Sequence, residues 1–566
     1  MVEGISGFGA LKSLTELAVN SLAKPDLYSP TVDLFRDIFD NYPRFLDSKD
    51  KDSFRGLFDT PWANDKLVTL IQGDYEEDSL QFGRLLTSFS TLQRNESSEA
   101  IAPLVSKMTG LLQAKGHAVE EDLIFVHALE FWTEYYEDLL IYIDELQEPN
   151  NYWTDHNQNT LATVVNSLWK KIQYPIPAQF ESWDTDDKAA FLEVRKDVAD
   201  LFQAICPLAS NYVSSTLTSL ALESLAAKAW IELEASLYCL GSIADFATDD
   251  SILDAIFGSE LWSKLADPAS EIPLRTKRAA LSLILQYDVY FSRTPRLLPV
   301  ILSACFQGMR DNNLVDISSK SIYSLCNACR QDLVPELLNF FVQCELLLQT
   351  HAPHGIAKER IVGSIAMIIQ AIKKEEDKLQ PLLRLLQLYE RDLNQCQALT
   401  KTDVESAEVQ GTDIIRCLAS MARGLQIPDD EPIDLEDANS SLTKSSYWTD
   451  SEGTIFQNKV IEIIQWLIGI FPASGEIMQA SCDMFHRGIE EKVPGPFVFS
   501  SSLVLQFILI AHLKSPRLST IIGTACGFVS SIGTHSSPQN LDISKRVHLW
   551  LFGLVQGLNG MLAHES

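Results

Sequence analysis

The sequence is short of glycine, of positive charge and of long apolar runs. Glycine supplies 26 of 566 residues, below the usual ~7%. All-β architectures spend glycine on turns, so its scarcity favours helices. Lys plus Arg number 45 against 76 Asp plus Glu, a net charge of −31. That deficit argues against nucleic acid as the direct partner, because phosphate binding needs a basic face. It disfavours anionic membrane surfaces as well. The longest apolar stretches, around 460–471 and 502–511, reach about half of the ~20 residues of a membrane span. They read as buried helices, and membrane insertion is not expected. The opening MVEGISGFGALKSL lacks a basic leader and carries Glu3, so no secretory signal is expected. Ten cysteines lie scattered without a dense framework. That suits reduced thiols in the cytosol or nucleus.

Catalytic motifs are missing too. There is no G-x-S-x-G, H-E-x-x-H or Walker A pattern. Gly7-Phe8-Gly9 is followed by Lys12 where a dinucleotide fingerprint wants glycine. Cys326 and Cys329 form a C-x-x-C with no second pair nearby. Zinc needs four converging ligands, so these two read as small buried residues on a helix. His351 and His354 fall in a short turn without a third ligand, and His127 and His486 read as part-buried packing residues on helices. The expectation is a chain without enzyme activity, cofactor or metal.

What is present is apolar material in helical spacing. Hydrophobic residues make up 46% and the mean hydropathy is +0.01. Leu274, Leu281, Ile284 and Leu285 share one face of a helix, as do Val315, Ile322, Leu325, Cys326 and Cys329. VPGPFVF at 493–499 comes nearest to a strand, and its two prolines demote it. The helices come in pairs: 254 with 274, 296 with 315, 333 with 355, and a further first helix near 376. First helices therefore recur at about the ~40-residue period of HEAT and armadillo repeats. A single pair cannot bury both its faces, so stacking is the physical solution. Pro299, Pro335 and Pro381 sit early in first helices, where proline is tolerated or kinks the helix. Asp316 with Lys320, and Arg275 with Arg278, sit near the start of second helices. They are either rungs of a charge ladder between repeats or ordinary surface charge.

The predicted fold is therefore all-α, a HEAT-repeat α-solenoid of antiparallel helix pairs. Residues 1–425 read as one repeat array and 456–566 as its continuation. Between them 426–455 is an acidic, unperiodic loop or insertion, and 173–188 reads as a second acidic loop. Acidic clusters recur at Asp74–Asp78, Asp184–Asp187, Asp245 with Asp249 and Asp250, and Asp429-Asp430-Glu431. They lack the two-environment arrangement of an acid–base pair. Each is ordinarily a solvated loop, yet summed over one surface they attract basic proteins.

Residues 226–247, AAKAWIELEASLYCLGSIADFA, resemble a helix of the importin-β superfamily. Trp230, Glu234, Ala235, Leu240, Gly241, Ile243 and Ala244 carry its Trp, Glu-Ala and Leu-Gly-x-Ile-Ala pattern. YPIPAQFESWDTDDKAAFLEVRKDVADLF, ALEFWTEYYEDL with Phe131 and Trp132, and IYSLCNACRQDLVPEL resemble the branch containing importin thirteen and transportin three. The resemblance implies a nuclear transport receptor that shuttles between nucleus and cytoplasm. It implies basic cargo proteins on an acidic concave surface, switching by the GTPase Ran, and contact with nucleoporin FG repeats. By the same resemblance, the family's N-terminal repeats, its main Ran grip, and its C-terminal repeats are expected to have no counterpart in the given sequence. A HEAT scaffold subunit of a regulatory complex, indifferent to Ran, is the competing reading. Candidate contacts on or just after second helices are Glu232, Asp245, Asp249, Asp250, Asp288 and Glu359. The competing account of each is solvated surface charge.

Overall fold

The computed structural model describes residues 19–22, 24–95, 98–145, 155–247, 249–350, 355–428, 447–491, 494–533 and 538–565. Contacts divide the chain into two units, Met1–Leu261 and Trp262–Ser566. Among the described residues there are helices and turns but no strand, and one isolated bridge between Ala118 and Asp122. The all-α solenoid reading holds.

In the first unit the main helices are α1 (Pro25–Asn41), α2 (Glu77–Gln93), α3 (Ser98–Leu112), α4 (Phe125–Glu145), α5 (Asp155–Lys171), α6 (Thr185–Ala227), α7 (Trp230–Ser242) and α8 (Asp250–Phe257). Alternate helices stack. One row runs α1, α2, α4, α6 and the other α3, α5, α7. The first row is filled by aromatic rings: Phe35 and Phe39 meet Phe54 edge-on at 4.7 and 5.0 Å, and Phe89 closes the group. Phe131 and Trp132 are fully buried in α4, and the Trp132 indole nitrogen donates to the Met108 carbonyl.

α6 corrects the reading of 173–188 as a loop. Pro177–Ser182 is a short helix, and α6 already begins at Thr185. Asp184 caps it, its side chain accepting from the Asp187 amide at 2.8 Å. Asp186 and Asp187 occupy the first turn, where carboxylates suit the helix dipole. Dense acid that reads as solvated loop is here a helix start. α6 then runs 43 residues through a kink at Ala209, two positions after Pro207. Proline lacks the amide and crowds the preceding turn, so the helix bends rather than stops.

In the second unit the helices are α9 (Leu274–Gln286), α10 (Leu298–Gly308), α11 (Val315–Ala328), α12 (Leu337–Thr350), α13 (Ile356–Gln370), α14 (Glu375–Leu399), α15 (Val404–Gly424), α16 (Thr454–Ile470), α17 (Gly475–Glu490), α18 (Ser501–Leu509), α19 (Leu518–Gly533) and α20 (Pro538–Glu565). Second helices α9, α11, α13, α15, α17 and α19 stack in sequence, while α10, α12 and α14 pack on α11, α13 and α15. The expected starts at 274, 296, 315, 333, 355 and 376 all fall within a few residues of observed ones. The helix from 274 breaks at Tyr287, and Asp288–Arg293 forms a separate turn. The helix expected from 254 breaks at Gly258. Pro299 is the second residue of α10, Pro335 lies in a 3₁₀ turn before α12, and Pro381 lies inside α14. α13 and α15 pack closely: a Cβ on Gly424 would meet the Gly363 carbonyl oxygen. Residues 429–446, with the Asp429-Asp430-Glu431 cluster, lie outside the described residues, as do His351 and His354. The end of the predicted insertion is anchored. Trp448 in the short helix Tyr447–Asp450 is buried and donates to Glu375 at 2.6 Å.

Candidate functional site

Four of the six candidate carboxylates fall in the first unit, around α7 and α8. Glu232 stands in the first turn of α7, half-exposed. Asp245 is exposed in the 3₁₀ turn after α7. Asp249 caps α8, accepting from the Ser251 amide at 2.9 Å and its hydroxyl at 2.6 Å. Those bonds hold its carboxyl below the usual aspartate range. Asp250 opens α8 itself. The fold thus gathers Asp245, Asp249 and Asp250 on one connection. Glu232 lies at the other end of α7, ~20 Å away for a 13-residue helix.

The other two lie in the second unit. Asp288 accepts the Ser324 hydroxyl from α11, which ties the broken helix to its neighbour. Glu359 is half-buried in the first turn of α13, and burial raises its carboxyl above the ordinary value. Asp413 pushes in the same direction, while Arg416, Arg423 and Arg360 oppose it. Its Oε1 is buried and meets no hydrogen-bond donor among the described residues.

The other acidic clusters also have local work. Asp74 accepts from the Glu76 amide and the Ser79 hydroxyl, while Glu77 and Asp78 fill the first turn of α2. His127 is part-buried as expected, whereas His486 is exposed, and each faces a glutamate on its own helix, Glu130 and Glu490. Cys326 and Cys329 are buried, and burial pushes the Cys329 thiol up to about 12. Among the described residues no group of three His, Cys, Asp or Glu is placed to hold a metal.

The strongest electrostatic features are ones that sequence reasoning passed over. Lys171, at the end of α5, is buried against Asp122, and its ammonium also donates to the Ala114 and Gly116 carbonyls. Asp122 in turn accepts from the Ile124 and Phe125 amides. Together they fix the connection between α3 and α4. Arg195 of α6 reaches Glu234 of α7 at 2.7 Å and donates to the Ile172 carbonyl. Its guanidinium lies between the Tyr174 and Tyr238 rings, 4.4 and 4.3 Å from their centroids. The sequence signal existed, because Glu234 belongs to the Glu-Ala pattern and Arg195 to the neighbouring matched stretch.

The second unit arranges charge differently. Asp316 of α11 pairs with Lys320 at 2.9 Å and with Arg360 of α13 at 2.7 Å. Glu476 of α17 pairs with Arg416 of α15 at 2.6 Å and with Arg517, just before α19, at 3.3 Å. The ladder reading of Asp316 with Lys320 therefore holds, extended across helices. Arg278 of α9 donates to the Asn313 carbonyl instead. The units also differ in net charge. Residues 1–261 hold 43 acidic and 18 basic residues, a net −25, and residues 262–566 hold 33 and 27, a net −6.

Stacked helix pairs, an acidic first unit and buried Glu-Ala-motif glutamate can be set against known proteins. No family model matches the chain. Importin beta-like protein kap111 of Schizosaccharomyces pombe is 23% identical over 526 residues, covering 90% of this chain and 52% of that protein. In sequence and in fold the chain is similar to members of the importin-β superfamily. Importin-13 from Homo sapiens is 19% identical over 446 residues, 75% of this chain and 45% of that protein. The chain spans about half the length of the curated relatives it matches. A solved structure of importin-13 in its cytosolic state superposes with a TM-score of 0.77 at 15% identity, covering 98% of this chain and 64% of that one. Importin beta in ammonium sulfate gives 0.58 at 11% identity, covering 97% and 60%. Both share the fold, and the importin-13 likeness agrees with the branch resemblance of 174–202. The superfamily is one of nuclear transport receptors.

Proposed function

We propose that this chain is the body of an importin-type nuclear transport receptor that holds basic protein cargo against its first unit and shuttles between nucleus and cytoplasm. One observation carries the reading: 25 of the 31 net negative charges lie in residues 1–261. A surface of that sign raises the local concentration of Lys/Arg-rich proteins and steers their encounter. Asp245, Asp249 and Asp250, which share one connection, are the proposed contacts there, with Glu232 as an outlying one. Asp288 and Glu359 are weaker proposals, because one is tied to Ser324 and burial disfavours ionisation of the other. The binding is non-covalent, and catalysis has no part in it. Ran and nucleoporin FG repeats are proposed partners by kinship with the relatives.

Affinity capture on the immobilised chain at low salt tests the proposal. Basic nuclear proteins are expected to be retained and then lost steeply between ~50 and ~200 mM salt. Asp245→Asn/Asp249→Asn/Asp250→Asn is expected to weaken retention several-fold. Recovery of one stoichiometric acidic or neutral partner, insensitive to salt and to Ran-GTP, would favour the HEAT scaffold reading instead.

A further inference from the structure

We infer that the cationic side chains along the stacked second helices of the second unit form a docking strip for an extended acidic segment of a partner protein. The strip is independent of the transport reading, which uses the first unit and basic ligands.

Its two nodes share a stoichiometry. Asp316 is bridged between Lys320 and Arg360, and Glu476 between Arg416 and Arg517. Each node joins two cations to one carboxylate, so each keeps an excess positive charge. Hydrogen bonds from the bridging cations hold both carboxyls below their ordinary values, so they remain ionised and the excess at neutral pH is one charge per node. Arg278 adds a fifth cation, met by a carbonyl rather than a carboxylate. Between the nodes lie Glu359, Asp413 and Arg423. Glu359 and Asp413 offset part of the nodes' excess, and Arg423 restores one positive charge.

The cations are also reachable. Lys320, Arg416 and Arg517 side chains are 43%, 42% and 52% exposed, and Arg360 is 22% exposed. A guanidinium carries five donors. Arg416 and Arg517 each spend one nitrogen on Glu476. The rest can take a second carboxylate in a forked geometry.

Spacing defines the partner. Packed helices lie ~8–10 Å apart, so the strip presents Arg278, Lys320, Arg360 and Arg416 at about that interval from α9 to α15, with Arg517 beyond the Glu476 of α17. An extended chain advances ~3.3 Å per residue. A segment with an acidic residue at every third position therefore matches the strip rung for rung. A nucleic acid strand could satisfy the same guanidiniums. Its dense charge, however, would be repelled by the net −25 of the first unit, whereas a short acidic peptide brings few charges.

Fluorescence anisotropy on the full chain at low ionic strength tests this, using a labelled peptide of about 16 residues with Glu at every third position in a Ser/Gly background. Arg416→Glu/Arg517→Glu is expected to weaken binding at least ~10-fold. Glu476→Gln removes the internal competitor and leaves both arginines in place, and it is expected to tighten binding ~3-fold. Unchanged binding in the double variant, or no gain in Glu476→Gln, overturns the proposal. So does an oligothymidine that displaces the labelled peptide better than its unlabelled copy does.

Discussion

The two units differ in net charge and in where their most prominent ion pairs lie. The first is strongly acidic, yet its best-defined ion pairs lie inside: Lys171 and Asp122 are 7% and 0% exposed, Arg195 and Glu234 3% and 9%. The second is nearly balanced and has pairs of both kinds: Lys358 and Asp392 are 13% and 19% exposed, while Asp316 is 70% exposed and Glu476 51%. Burial decides what a pair does. A buried pair repays desolvation only with matched geometry, so it dictates where helices sit. An exposed pair contributes little to stability and keeps donors free for another molecule. The same Lys/Arg–Asp/Glu chemistry is thus a positioning device where it is buried, as in the core of the first unit, and a surface where it is exposed, as at the Asp316 and Glu476 nodes of the second.

The largest test removes one buried partner. Arg195→Ala leaves Glu234 charged in the core, empties the slot between Tyr174 and Tyr238 and frees the Ile172 carbonyl. A cost of about 3–5 kcal/mol is expected for the first unit, read by urea unfolding with hydrogen exchange on α6 and α7. Lys171→Ala should cost about as much, since it orphans Asp122 and two carbonyls. Arg195→Lys should recover little, because an ammonium cannot stack between two rings and fork to a carboxylate. By contrast Arg195→Met with Glu234→Leu should be far milder than either single change. If Arg195→Ala costs under about 1 kcal/mol, buried and exposed pairs are energetically alike and the contrast between units fails.

The next effect is smaller by design. Arg360→Ala or Asp316→Asn cuts a rung between α11 and α13, and about 0.2–1 kcal/mol is expected, shrinking further in salt. A loss of several kcal/mol would make the ladder structural and leave its arginines committed to folding.

Much of the fold was legible because its signal is periodic. Apolar spacing and the ~40-residue recurrence located helix starts throughout 274–399. The acidic segments were harder. Dense Asp and Glu look alike whether they solvate a loop or start a helix, and Asp184 and Asp249 turned out to be caps. Only the residue two or three positions on, with its amide in place, tells them apart. The candidate site was legible as composition and not as geometry. The buried pairs join residues 39 and 49 positions apart, a distance no local pattern reports. Trp448 shows the converse. A lone tryptophan in a polar stretch marked an anchor that the reading of 426–455 as one loop overlooked.

The smallest expected effect concerns Glu359, the one candidate carboxylate that burial sets against ionisation. Its folded carboxyl titrates above the ordinary 4.5. A group raised in this way contributes stability below the unfolded value and loses that contribution as pH rises through the folded one. At pH 7 the ionised side chain therefore costs the second unit stability. Glu359→Gln keeps the shape and removes the charge, so a gain of about 0.5 kcal/mol at pH 7 is expected. The gain should vanish below pH 4.5, where Glu359 is itself protonated. Urea midpoints of the variant and the parent at pH 4 and pH 7 measure the difference. Should the variant be less stable at pH 7, then Arg360, Arg416 and Arg423 outweigh burial, and Glu359 becomes a full rung of the ladder. That outcome would make the Glu359 carboxylate a stabilising member of the ladder between the two nodes rather than a buried liability.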